Sequence, residues 1–228
     1  MMTDVAFLSR TLLFRGISAQ EIQGMLGCLD AREKHYKKGE VIYAPGDLVK
    51  APGMVLSGSV FIENDDFWGN KSILDRIQPG LLFAETYACL PGEALMVRVV
   101  AAEETEVLFL DLEHLLHVCS RTCTWHTRLI SNLLMIAANK NLNLSRRIFH
   151  TSAKSIRGRL LSYLSYQAIR NGSSDFTIPF RRQELADYLG VDRSALSSEL
   201  GKMQREGLLQ SDKCHFVLKG DIMSPAGV

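Results

Sequence analysis

The sequence predicts an α+β chain: an N-terminal β sandwich or jelly roll, a long helix, and a C-terminal winged helix-turn-helix. Three observations predict it. Short β-favouring runs alternate with glycine turns from Lys34 to Asp111. A helical pattern with two apolar stripes then runs to Ile148. Finally, Arg182–Gly201, RQELADYLGVDRSALSSELG, reads as two short helices broken by a tight turn.

In chain order, residues 3–15 are mixed, with Leu8, Leu12, Leu13 and Phe14 apolar. Ser18-Ala19-Gln20-Glu21 has the S-x-x-E form of a capping box. A short helix should follow, with Ile22, Met25, Leu26 and Leu29 inward. Four Pro-Gly pairs then punctuate the β region: Pro45-Gly46, Pro52-Gly53, Pro79-Gly80 and Pro91-Gly92. Proline presets φ and glycine accepts positive φ, so such pairs mark turns. Between them the predicted strands are Val41–Tyr43, Met54–Glu63, Ser72–Ile77, Ala94–Val100 and Val107–Leu110, with Asp65–Asn70 a hairpin tip turned at Gly69. Many short strands at this spacing suggest a sandwich or jelly roll.

From Asp111 the pattern is helical. A heptad passes through Thr127, Ile130, Leu134, Ala137, Asn141, Leu144 and Ile148. A second stripe, Trp125, Leu129, Leu133 and Ile136, lies on another face. One face can pair with a second subunit while the other covers the β domain; a single-chain helix packed on both sides is the alternative. Ser152–Arg170 is a further helix ending at Asn171-Gly172, and Phe176–Phe180 a short strand. Leu185 and Leu189 share one helical face, Gly190 ends that helix, Asp192 caps the next, and Gly207 ends it. Leu208–Leu218 reads as a β-hairpin wing, and the tail after Gly220 as loose. The resulting boundaries are 1–115 for the β domain with its N-terminal helix, 116–150 for the long helix with its pairing seam and 151–228 for the winged helix-turn-helix; the resemblance named below makes the first an effector-binding domain.

Charge follows this division. Residues 1–144 hold 13 Lys/Arg against 17 Asp/Glu, a net of −4, while residues 145–228 hold 13 against 8, a net of +5. The basic half is the half with the helix-turn-helix, as phosphate binding requires. No apolar run approaches the ~20 residues of a membrane span, and no signal-peptide pattern opens the chain, so the expectation is a cytoplasmic protein without membrane contact. Five scattered cysteines, Cys28, Cys89, Cys119, Cys123 and Cys214, do not suggest a disulfide framework.

On the recognition helix, Leu196, Leu200 and Met203 share the core face at about 100° per residue. Ser194, Ser198, Gly201 and Arg205 lie opposite, flanked by Arg193 and Ser197. Arg193 in the first turn can offer a fork of donors to guanine O6 and N7. Ser194, Ser197 and Ser198 are further candidates for the DNA face, and Arg181, Arg182, Lys202 and Arg205 are expected at phosphates.

These pieces together resemble the Crp/Fnr (cyclic-AMP receptor protein / fumarate-nitrate reductase regulator) family of bacterial transcription factors over about residues 15–220. The resemblance rests on KKGEVIYAPGD (Lys37–Asp47), MVLSGSVFI (Met54–Ile62), GNKSIL (Gly69–Leu74), QPGLLFAE (Gln78–Glu85), RRQELADYLGVDRSALSSEL (Arg181–Leu200) and EGLL (Glu206–Leu209). It implies a cyclic-nucleotide-binding-like jelly roll and a winged helix-turn-helix. It also implies a homodimer on a pseudo-palindromic operator, and RNA polymerase as a partner. The dimer would be joined through Ile130, Leu134, Ala137, Asn141, Leu144 and Ile148.

The resemblance also brings an effector cassette of the form F-G-E-x-x-L followed by R-S-A, in which glycine lets backbone approach the ligand, glutamate holds the ribose hydroxyl and arginine pairs with the phosphate. Here Phe83, Ala84, Glu85 and Thr86 fill the first part, Glu93 stands at the phosphate arginine and Ala94 at the serine. A carboxylate facing a phosphate is repulsive. The effector is therefore expected to be a small molecule other than cyclic AMP, held by these six residues with Leu129 and Leu133 from the long helix. Where the family often has Ser-Arg, this chain has Ser197-Ser198, so its preferred DNA sequence should differ.

No cofactor or metal site is expected. An iron–sulfur site of the family's type needs several cysteines near the N-terminus, and only Cys28 precedes the β domain. His35, His114, His117 and His126 stand in no ligand motif. Two other functions compete. A jelly-roll metal enzyme needs clustered His and carboxylate ligands, yet the β region contains only His35. A redox regulator of the same fold would sense through Cys119, Cys123 or Cys89.

Overall fold

The computed structural model describes residues 4–65, 71–112 and 124–219. By packing, the chain forms two compact units, Met1–Asn139 and Lys140–Val228, and each is described by itself.

The first unit opens with α1 (Val5–Leu8) and α2 (Ala19–Cys28). Ser18 and Glu21 form the expected capping box on α2, and Ile22, Met25 and Leu29 are fully buried. Eight strands follow: β1 (Arg32–Tyr36), β2 (Val41–Tyr43), β3 (Gly53–Ser57), β4 (Val60–Asp65), β5 (Lys71–Ile77), β6 (Leu82–Phe83), β7 (Arg98–Ala101) and β8 (Thr105–Phe109), with the one-turn helix α3 (Glu85–Ala88) after β6. They make two antiparallel four-stranded sheets, ordered β1-β8-β3-β6 and β2-β7-β4-β5. The apolar cluster of Val55, Val60, Ile77, Phe83, Val99 and Val107 draws on strands of both sheets. Phe109 makes edge-on ring contacts there with Tyr36, Tyr43 and Phe83. A second cluster joins α1 and α2 to Met54, Leu82 and Leu108.

Several boundaries differ from the sequence reading. Met54–Glu63 is two strands, because Gly58 turns the chain with φ +75. Pro52-Gly53 is not a turn but the entry to β3; Phe83 Cζ lies 2.1 Å from where a Cβ on Gly53 would stand. Ala94 makes only an isolated bridge to Leu48, and regular pairing starts at Arg98. β1 has no counterpart in the sequence reading. The Asp65–Asn70 tip beyond Asp65, residues His114, His117, Cys119 and Cys123, and the tail from Gly220 lie outside the described residues.

The long helix, α4 (Thr124–Thr151), crosses the boundary between the units. Its first half anchors in the first unit. Leu129 and Leu133 are buried in the cluster with α1 and α2, and Asn132 Nδ2 donates to the carbonyls of Leu13 (2.8 Å) and Arg15 (2.9 Å).

The second unit contains α5 (Ile156–Asn171), β9 (Asp175–Thr177), α6 (Arg182–Leu189), α7 (Arg193–Arg205), β10 (Leu209–Asp212) and β11 (His215–Leu218). The three strands form one sheet, β10-β11-β9. Leu160, Leu164, Leu185, Leu189, Leu196, Leu200, Met203 and Phe216 make its core. α5 starts at Ile156, capped by Ser155, rather than at Ser152. The last turns of α4 pack in this unit, and the compact boundary falls at 139/140, within the long helix.

Candidate nucleic-acid interface and effector cassette

α6 and α7 are joined by a turn in which Gly190 takes the left-handed conformation (φ 63, ψ 46). The Asp192 carboxylate then accepts from the Ala195 N–H at 2.9 Å and from the Ser194 hydroxyl. Those bonds, the Ser194 hydroxyl first, hold its pKa below the usual carboxylate value. Leu196, Leu200 and Met203 are buried, whereas Arg193, Ser194, Ser197, Ser198, Lys202 and Arg205 are exposed. The predicted face is thus presented as one face of one helix. Ser194 is already engaged in the cap, which leaves it less able to donate outward.

The cations near this face divide into two kinds. Among the described residues, the Arg193 side chain makes no hydrogen bond or ion pair, and its fork is available. Lys202 Nζ lies 3.7 Å from Glu199. Arg182, expected at a phosphate, is folded inward: its Nη2 donates to Ser211 Oγ at 2.9 Å, its guanidinium lies over Phe216, and burial lowers its pKa. It ties α6 to the wing, while the adjacent Arg181 stays exposed. Ser211 in turn donates to Gln204 of α7.

Sequence reasoning missed the arginines that hold this assembly. Arg157 on α5 donates through Nε to Glu199 (2.6 Å) and through Nη1 and Nη2 to Glu206 (2.8 and 2.7 Å), bridging the middle of α7 and its C-cap. Their carboxylates are the main reason its pKa is raised. The signal was available as Arg157-Gly158-Arg159 ahead of an apolar stripe. Basic residues in a basic half read as phosphate contacts unless their partners are seen.

Along α4, the predicted seam is open. Ile130, Leu134, Ala137, Asn141, Leu144 and Ile148 are all exposed; Leu134 and Ile148 are each 68% accessible.

In the cassette, Phe83 and Glu85 are buried, Ala84 is half-buried, and Thr86, Glu93 and Ala94 are exposed. Ala84 holds a left-handed conformation, φ 60 and ψ 12, at the position the resemblance gives to glycine. Glu93 sits in a turn with its N–H on the Leu90 carbonyl. Arg98 offers no replacement cation at that place. Val97 and Val99 pack in the inter-sheet cluster, so alternation puts Arg98 on the other face of the sheet, opposite Glu63. There it lines a shallow cavity of about 230 Å³ with Lys38, Val41, Phe61, Glu63 and Val100. Leu129 and Leu133, expected in the effector set, are buried in the cluster with the N-terminal helices. Burial, with Glu85 nearby, pushes the Cys89 thiol up.

An antiparallel β domain, a long helix and a winged helix-turn-helix with an outward-facing recognition helix define a class, the two-domain transcription regulators. The chain belongs to the Crp/Fnr family of these. Residues 33–122 match the family model described as a cyclic nucleotide-binding domain, and residues 158–219 the Crp-like helix-turn-helix domain. The cyclic AMP receptor protein of Thermus thermophilus is 29% identical over 205 residues, covering 87% of this chain and 88% of that protein. Electron transport regulator A of Shewanella oneidensis is 26% identical over 190 residues, covering 78% and 71%. Among solved structures, CprK complexed with OCPA has a TM-score of 0.61 at 14% identity, covering 88% of this chain and 92% of that one. The c-di-GMP responsive global regulator CLP of Xanthomonas campestris has 0.56 at 18%, covering 90% and 100%. At these identities the two structures speak for the fold. Among the described residues, no helix is long and apolar enough to cross a membrane.

Proposed function

We propose that the chain acts as a homodimer on a pseudo-palindromic DNA site and is controlled by a small molecule other than cyclic AMP. The observation that carries the dimer is the open seam on α4. Six residues at heptad spacing face solvent, and four of them are Ile or Leu. Pairing two such seams removes this apolar surface from water at roughly 25 cal/mol per Å². It also leaves two α7 helices to enter successive major grooves about one helical turn apart. Arg193 reads base edges, and Arg181, Lys202 and Arg205 hold phosphates. RNA polymerase is the partner through which occupancy becomes a change in transcription.

The effector reading follows from charge. The Thermus relative is named for cyclic AMP, but here the cassette combines Glu85 with Glu93 and sets Arg98 on the opposite face of its strand. A phosphate at that position meets carboxylate where its partner should be. Redox control through Cys89 is disfavoured, because a half-buried thiol with a raised pKa is a poor thiolate.

The test is selection of binding sites from random DNA by the purified full chain, followed by sedimentation of the free protein. A selected palindrome and a dimer support the proposal; an absence of any enriched sequence overturns it. Calorimetry with cyclic AMP should show no binding, and micromolar affinity would refute the effector reading.

A further inference from the structure

A helix ends with its last carbonyls unsatisfied and partially negative. The C-terminus of α6, which carries the helix-turn-helix turn, has an unusual solution: two guanidinium groups cover four successive carbonyls. Arg147 on α4 donates through Nη2 to Asp187 O (3.0 Å) and through Nε to Tyr188 O (3.1 Å). Arg159 on α5 donates through Nη1 to Leu189 O (2.9 Å) and Gly190 O (3.0 Å). Its Nε reaches Ala153 O at 2.9 Å in the α4–α5 link. Arg147 also lies over the Tyr188 ring, 5.9 Å from its centroid. His150 adds a third tie, with Nδ1 3.0 Å from Ser162 Oγ and its ring against Tyr163, Tyr166 and Tyr188.

The seam residues Asn141, Leu144 and Ile148 lie in this same compact unit. Arg147 is adjacent in sequence to Ile148. One side chain therefore connects the helix that would meet a second subunit to the helix that sets the pose of α7.

We propose that Arg147 is a positioning residue for DNA spacing: by holding the end of α6 against the last turns of α4, it fixes the separation and phase of the two recognition helices in the dimer. This rests on the dimeric DNA-binding reading above. Arg147 touches no DNA in this role. Its removal frees α6 and α7 to swing about the end of α4, while each α7 keeps its own cap and core.

The experiment measures affinity by fluorescence anisotropy for a selected palindrome, the same palindrome with one base pair inserted or deleted at its centre, and an isolated half-site. One base pair turns a half-site by about 35° and shifts it about 3.4 Å. The proteins are the wild type, Arg147→Ala, Arg147→Lys and, as a control for charge alone, Arg146→Ala, whose guanidinium stacks on Tyr166. The wild type should disfavour the altered spacings by about tenfold or more, since protein or DNA must deform to fit them. Arg147→Ala should reduce that penalty to about threefold or less with half-site affinity kept. Arg147→Lys, which can reach one carbonyl but has no fork, should fall between, and Arg146→Ala should match the wild type. Should Arg147→Ala not fold, Arg147→Lys decides by the same readout. A wild-type spacing penalty in the Arg147 variants, or an equal drop in affinity at every spacing, overturns the proposal. A wild type that binds no selected DNA, or binds without spacing preference, overturns the dimeric reading instead.

Discussion

Arg193→Ala tests the recognition face most directly. Arg193 is the first residue of α7, is exposed, and its side chain has no intramolecular partner among the described residues. Removing it therefore breaks nothing inside the fold: Asp192 still caps the helix, and Leu196, Leu200 and Met203 still bury its inner side. The thermal midpoint should not move, and the whole effect should appear in DNA binding. A bidentate Arg–guanine contact discriminates by about 1–3 kcal/mol. A dimer on a palindrome makes it twice, so the cognate-over-random ratio should fall by about 2–6 kcal/mol, at least about 30-fold. The assay is anisotropy on the selected palindrome and on a scrambled duplex at one fixed salt concentration, because phosphate contacts make all affinities salt-dependent. Lys202→Ala supplies the contrast. It should weaken both duplexes alike and lower the salt slope by about 0.9 for each phosphate that Lys202 no longer neutralises. An equal weakening of both duplexes by Arg193→Ala would refute its role as a base reader.

Leu134→Asp places a charge in the open seam and should convert the dimer to monomer in sedimentation, with a thermal midpoint that is lower and no longer depends on protein concentration; a persisting dimer refutes the seam. Leu189→Ala empties a fully buried site under the helix-turn-helix and should cost about 2–5 kcal/mol in denaturant unfolding; a cost below about 1 kcal/mol would mean the site collapses freely. His150 is 1% exposed, and burial, with Arg146 nearby, lowers its pKa from 6.5. The unfolded chain then binds the proton first, so stability is full above pH 6.5 and falls as pH drops below it. His150→Phe should flatten that part of the curve, and an unchanged slope counts against it. Iodoacetamide at neutral pH should label exposed Cys28 before Cys89, whose thiol burial pushes up.

Local chemistry was legible in the sequence wherever one residue type has one physical use. Ser18 and Glu21 could only be a capping box, Gly190 and Asp192 only a turn and a cap, and the Leu196–Leu200–Met203 spacing only a buried face. Strand edges were less legible. β1, Arg32–Tyr36, reads REKHY and buries only Tyr36, because an edge strand keeps charged residues outward and carries no alternation to find. Pro52-Gly53 looked like its three sister pairs, yet Gly53 is there for the ring of Phe83. That contact spans 30 residues and leaves no local trace. The candidate site divided in the same way. The spacing placed Arg193 on the outer face, but nothing in the letters told it from Arg182, Arg157 or Arg147, whose partners come from other elements.

The effector cassette shows why shape and charge must be weighed separately. An L-residue in the left-handed region costs about 1–2 kcal/mol, yet Ala84 stays there. Such strain persists only where the surroundings over-determine it, and here they do: Phe83 is fixed over Gly53 on one side and Glu85 is buried on the other. The backbone therefore holds, with an alanine, the turn that the resemblance assigns to glycine. Charge is arranged differently from the cassette of the resemblance: Glu93 lies at the surface and Arg98 on the far face of its strand. A turn held against its own strain is what the effector reading proposed above expects of a cassette that closes on a ligand.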